Sequence, residues 1–166
     1  FVKAFEENFF DEVLPNVKII NFIGGEPLVV KEHYVWLEHI IEMGWASNIE
    51  LHYNTNGTTI PDNLLEIWDK FKGIVLSLSI DAIDDLAYYV RYPSKWKLIK
   101  RNIEKLKVFS KTRTGVVVHT HVTLSVMNLH DLPNILDWCK ENYDTWHYEW
   151  DWGNHGYQNC LPHFNI

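Results

Sequence analysis

The run VKIINFI at residues 17–23, followed at once by Gly24-Gly25-Glu26-Pro27, decides the fold. Its nearly continuous apolar side chains read as a short strand buried on both faces, the kind found inside parallel sheets. Two glycines let the backbone bend and approach a ligand where side chains would block it. Pro27 then fixes the chain direction, with a single acid standing just before it. A strand that stops in such a loop and passes into a helix is the first half of a βα unit.

Working outward, the unit recurs. Residues 1–14 carry an amphipathic helical pattern that Pro15-Asn16 breaks. Residues 31–43 read as a helix stopped by Gly44, and residues 49–53 as a strand ending in the turn Asn54-Thr55-Asn56-Gly57. Pro61 opens a helix through residue 71, with Asp62 and Glu66 near its start. A strand is expected over 74–80, a Lys-rich helix over 96–109, a β-branched strand over 116–126, a helix over 132–143 and a last strand over 146–152. Strands alternating with helices in this way predict parallel strands joined by helical crossovers. Two α/β architectures satisfy the pattern, a doubly wound open sheet and an arc of a (β/α) barrel. Both put functional groups at the carboxyl ends of the strands, here residues 24–27, 54–57, 77–81 and 123–128.

The 166 residues fit one domain, residues 1–166, with enough chain for a hydrophobic core. Hydrophobic residues at 46% and charged residues at 22% are ordinary for a globular chain. A net charge of −7 argues against a face for nucleic acid. No apolar run is long enough to cross a membrane. Two cysteines, Cys139 and Cys160, exclude a disulfide framework, so a reducing, cytoplasmic setting is expected. Phe1 falls inside an amphipathic run and His163-Phe164-Asn165-Ile166 carries no helix-ending signal, so the domain is expected to be cut at both ends.

Physically, Gly24-Gly25-Glu26-Pro27 is a small cup of backbone groups and one carboxylate, suited to an ammonium group; a phosphate would be repelled by the acid. A plain tight βα turn is the alternative. In Ser77-Leu78-Ser79-Ile80-Asp81, residues 77, 79 and 81 share one face. They offer hydroxyls and a carboxylate for a ligand's carboxylate or ribose. Ser77 is equally explained as a residue small enough for a crowded interior. His119 and His121 share a strand face and suit chelation, but four ligands at tight spacing are missing, which favours hydrogen-bonded or solvent-facing sheet histidines and no metal site.

The runs INFIGGEPLV, HYNTNGTTI, SLSIDAIDDLAYYVRYPSKWKLIKRNIEKLK and HVTLSVMNLHDLPNILDW together resemble the core of the radical S-adenosylmethionine (radical SAM) superfamily, in the family's order and over about residues 17–138. The resemblance implies a partial (β/α) barrel of about five parallel strands with outer helices. It implies that Gly24, Gly25, Glu26 and Pro27 bind the amino group of the methionine moiety of S-adenosylmethionine. It passes contact with the cofactor's carboxylate or ribose to Ser79, with Asp81 beside it, and makes Arg91 the carboxylate partner; an ion pair of Arg91 with Asp84 or Asp85 is the alternative. Ser77 and Thr123, like Asn54 and Asn56, are expected to line the pocket or serve as turn and sheet residues. The Asn128-x-x-Asp131 segment resembles the family's turn into the next helix.

The chain departs from the family in one respect: no three-cysteine motif precedes Gly24. The four-iron four-sulfur cluster is therefore expected to take its ligands from residues outside this chain, and the chain alone to be inactive. The function implied is that of an oxidoreductase-type radical SAM enzyme that cleaves S-adenosylmethionine reductively to a 5′-deoxyadenosyl radical. An electron donor such as flavodoxin or ferredoxin and a peptide or protein substrate would be its partners. The residues after 149 resemble members that continue into a twitch or SPASM domain. The rival is a cluster-free domain binding a small molecule or nucleotide.

Overall fold

In a computed structural model of the chain, residues 12–142 are described, together with the backbone of residues 145–147 and 163–165. Four strands, β1 (Ile19–Phe22), β2 (Glu50–Thr55), β3 (Gly73–Ser79) and β4 (Val116–His121), form one parallel sheet in the order β1-β2-β3-β4. Between and after them run α1 (Lys31–Glu42), α2 (Asp62–Trp68), α3 (Asp84–Val90), α4 (Trp96–Thr112) and α5 (Leu132–Asn142).

This strand order separates the two architectures that the sequence allows. Because the strands lie side by side in chain order, the chain steps across the sheet in one direction. Right-handed crossovers taken in one direction lay every helix on the same face. A doubly wound sheet reverses direction and covers both faces. The core agrees with the first case. Leu51 and Tyr53 of β2, Ile74, Leu76 and Leu78 of β3, and Val118 of β4 are all buried, in one cluster with Leu37 and Ile40 of α1, Leu64 and Trp68 of α2, Ile103 and Leu106 of α4, and Ile135 of α5. The alternate residues face the other way and stay partly open: the burial of β4 reads buried–half-buried in strict alternation. The molecule is an open arc of a (β/α) barrel, with the described helices packed on one face of its sheet.

Three elements depart from expectation. The strand expected over 116–126 ends at His121, because the backbone N–H of Thr123 turns to the carboxylate of Asp81 at 2.7 Å and leaves the ladder. α3 was not foreseen: residues 84–90 bury only Ala87 and carry too short a pattern to read as a helix. The described part of the last expected strand, β5 (Thr145–His147), pairs antiparallel with β6 (His163–Asn165) and not with β4. Its partner comes from the chain's own return, so the parallel strands of the arc number four among the described residues, where about five were expected. The helix expected over 1–14 and the rest of 146–152 lie largely outside the described residues.

The β2–α2 loop is pinned from behind. Gly57, at φ +71°, meets the side chains of Leu78 and Ile99, and its carbonyl accepts a hydrogen bond from Asn102 Nδ2 of α4 at 2.8 Å. Asn102 is buried, so removing its amide leaves a carbonyl without a partner away from water. Asn102→Ala is expected to cost about 1–3 kcal/mol, read as a lower urea midpoint at unchanged m-value. An unchanged midpoint would show that the tether contributes nothing.

Candidate functional site at the carboxyl ends of the strands

Parallel strands bring all four of their following loops to one edge of the sheet. There, Gly24 takes φ +117°, a conformation that favours glycine. A Cβ built on Gly24 or Gly25 would meet nothing within 4 Å, so open space adjoins this backbone. Among the described residues, neither glycine's backbone N–H or C=O makes a hydrogen bond. The loop is nonetheless anchored. Glu26 Oε1 accepts from Thr55 Oγ1 at 2.6 Å and from the Leu28 amide at 3.4 Å, while Oε2 accepts from the Asn56 amide at 2.8 Å. The Thr55 hydroxyl in turn accepts from the Gly57 amide at 3.2 Å. Asn56 closes its own turn by accepting from the Thr58 amide and hydroxyl. Glu26 is thus a strut between the β1 loop and the end of β2. Pro27 starts a one-turn 3₁₀ segment, Pro27–Val29, behind it.

The β3 and β4 loops form a second braced corner. Asp81 Oδ2 accepts from Arg91 Nε at 2.5 Å and Oδ1 from the Thr123 amide. Arg91 therefore pairs with Asp81, and not with Asp84 or Asp85. Asn128, fully buried, donates to the carbonyls of Asp81 at 2.8 Å and Thr123 at 2.9 Å and accepts from the Ser125 amide at 2.7 Å. This turn residue, given no role from the sequence, ties the end of β3 to the end of β4. Ser79 is half-buried at the end of β3, and the Thr123 side chain is exposed.

On the sheet face opposite the helices the register aligns polar side chains in rows. Asn21 lies beside His52, Asn54 beside Ser77, Ser77 beside His119, and Ser79 beside His121. Asn21, His52, Asn54, Ser77, His119 and His121 line a cavity of about 240 Å³. Buried Ser77 lies 3.4 Å from His121 Nδ1, Oγ to nitrogen. His52 Nε2 meets Glu50 Oε1 at 2.5 Å. Asn21, His52 and Glu50 were not singled out from the sequence, although the alternation Glu50-x-His52-x-Asn54 carries the signal once the covered face is known.

The residues present do not fit an iron–sulfur cluster, which cysteine thiolates hold. Cys139 is buried in α5, where desolvation pushes its thiol up to about 12 even with a hydrogen bond to Thr120 favouring the thiolate. Among the described residues, no group of three or more His, Cys, Asp or Glu side chains is placed to hold a metal ion; Cys160 lies outside them. Nor is any described helix long and apolar enough to cross a membrane.

An arc of parallel strands, with its loops gathered at the carboxyl edge beside the glycine backbone, defines a partial (β/α)-barrel domain. The family model of the Radical SAM superfamily matches residues 7–139. The chain belongs to that superfamily, whose members are enzymes that use S-adenosylmethionine and a four-iron four-sulfur cluster. No curated protein and no solved structure matches the chain.

Proposed function

We propose that residues 1–166 are one partial barrel domain that binds S-adenosylmethionine across its mouth, as the cofactor-holding part of a radical SAM enzyme. The observation that carries this reading is the backbone of Gly24 and Gly25, which makes no hydrogen bond among the described residues and leaves the Cβ positions open, in a loop anchored by Glu26. Backbone carbonyls there suit an ammonium group, and the Glu26 carboxylate adds negative potential even while it anchors the loop. Pro27 sets the loop's exit. On the other side of the mouth, Ser79 and Arg91 would secure the methionine carboxylate, with Asp81 and Thr123 beside them and Ser77 deeper on the same face. A guanidinium fork is matched to a carboxylate in shape and charge.

The family's chemistry, reductive cleavage to a 5′-deoxyadenosyl radical, needs an electron from a cluster that these residues do not hold. That activity is therefore assigned to an enzyme in which three cysteines come from other residues, supplied with electrons by a donor of the flavodoxin or ferredoxin kind. The polar cavity on the sheet face opposite the helices suits a hydrogen-bonding substrate, such as a peptide in a twitch- or SPASM-type enzyme. A cytoplasmic setting accords with labile iron chemistry. Nucleic acid and membrane are not among the partners proposed.

Equilibrium dialysis of the purified chain against S-adenosylmethionine and, separately, ATP separates this reading from a nucleotide-phosphate site. Saturable uptake of S-adenosylmethionine up to millimolar concentration, with none of ATP, is the expected result. Preferential uptake of ATP would put an anion at the glycine loop and end the proposal.

A further inference from the structure

We infer that Asp81 is a positioning residue that aims Arg91 at the ligand's carboxylate, and that Asn128 holds Asp81 in place to do so. The inference rests on the reading above and assigns the two residues a role one step behind the ligand. Three observations carry it. First, both oxygens of the buried Asp81 carboxylate are already engaged within the protein, Oδ1 by the Thr123 amide and Oδ2 by Arg91. Second, the contact to Arg91 uses Nε. Among the described residues, neither terminal amino nitrogen of Arg91 donates a hydrogen bond, and the side chain keeps 35% of its exposure. A guanidinium gripped at Nε is restricted in turning about its long stem, so part of the rotamer entropy is spent before a ligand arrives.

Third, the brace extends beyond the pair. Asn128 is fully buried on the chain that leaves β4, yet one amide nitrogen spans the carbonyls of both Asp81 and Thr123, the two residues joined by the Asp81 carboxylate. Its oxygen closes the Ser125 turn. The corner is therefore a closed ring of hydrogen bonds, and its more exposed charged group is Arg91. A brace that served stability alone would have no need of an arginine left more than a third exposed. Two N–H donors in a plane match the paired oxygens of a carboxylate, the anionic group of the ligand proposed above.

The test uses two ligands that differ only in that group, S-adenosylmethionine and its decarboxylated form, with binding measured by calorimetry. Asp81→Asn preserves the size of the side chain and an acceptor for the Thr123 amide but lets go of Arg91. It is expected to bind S-adenosylmethionine about tenfold more weakly while binding the decarboxylated form as the native chain does. Arg91→Gln should show the same selective loss, and the double variant no further loss. Equal weakening of both ligands, or no weakening, would overturn the inference and make the corner purely structural. If the native chain binds neither ligand, the cofactor reading itself fails, which is a separate outcome. Should Asp81→Asn not fold, the native chain still decides. The Arg91 Nε–H is expected to give a slowly exchanging NMR signal before ligand is added, and exchange as fast as that of surface arginines would refute the aim.

Discussion

Replacing Glu26 with alanine is expected to destabilise the fold by about 2–4 kcal/mol and to weaken S-adenosylmethionine binding about a hundredfold. The first effect follows from three donors that lose their acceptor: the Thr55 hydroxyl and the amides of Asn56 and Leu28. Hydrogen bonds to a charged acceptor contribute roughly 1.5–3 kcal/mol each, and partial exposure of the strut lets water replace some of that. The second effect comes from the loop itself. Gly24 and Gly25 have no side chain contacts of their own, so without the strut the ligand must order two glycines as it binds. Each ordering costs about 1–2 kcal/mol, which is the source of the hundredfold. Glu26→Gln keeps one acceptor oxygen and should fall between the two. Urea unfolding gives the first quantity and calorimetry the second. A Glu26→Ala chain that binds S-adenosylmethionine like the native one would separate the strut from the site.

A second large effect is expected on acidification, and it originates behind the site. His33 of α1 is buried against Phe22 and Tyr53. Trp68 Nε1 can only donate, and it donates to the Tyr53 hydroxyl at 3.2 Å; that hydroxyl lies 2.8 Å from His33 Nε2. The arrangement that satisfies most groups has Tyr53 donating to Nε2, which puts the ring proton of the neutral imidazole on Nδ1, an atom buried without a partner. Desolvation lowers the His33 pKa to about 4. The unfolded chain therefore takes up a proton near 6.5 while the native chain does not until about 4, and the unfolded state binds more protons across that window. Stability contributed by neutral His33 is full above pH 6.5 and is lost as pH falls to 4, by about 3 kcal/mol in total. The difference in urea stability between the native chain and His33→Gln, followed over that range, isolates this residue from the other histidines. Parallel profiles would show that His33 protonates in the folded state as easily as in the unfolded one.

What the sequence made legible follows the reach of each signal. The four parallel strands were visible because buried βα units write their period into a handful of neighbouring residues, as in Val17–Ile23 and Ile74–Ile80. The Gly24–Pro27 loop stood out because glycine and proline act on their own backbone. α3 escaped because seven residues with one buried side chain leave almost no periodicity. The end of β4 was misplaced because Val122 continues the β-branched run, whereas what ends the strand is a carboxylate from the loop after β3, 42 residues earlier. The same limit hid the partner choices within the site. Arg91 had Asp84 and Asp85 nearer in the chain, yet just past the end of α3 its Nε meets Asp81. Glu26 reads locally as a free acid in a cup, and only the 29- and 30-residue contacts to Thr55 and Asn56 reveal the strut. Asn128, a turn residue by its neighbours, is buried where it bonds two carbonyls from the loops after β3 and β4.

Amide chemical-shift mapping of the nitrogen-15-labelled chain during titration with S-adenosylmethionine tests the central claim most directly. The account predicts that the Gly24 and Gly25 resonances move saturably, together with those at the Ser79 and Thr123 ends of β3 and β4, and that ATP leaves them in place. Shifts confined to other parts of the molecule, with both glycines still, would contradict it.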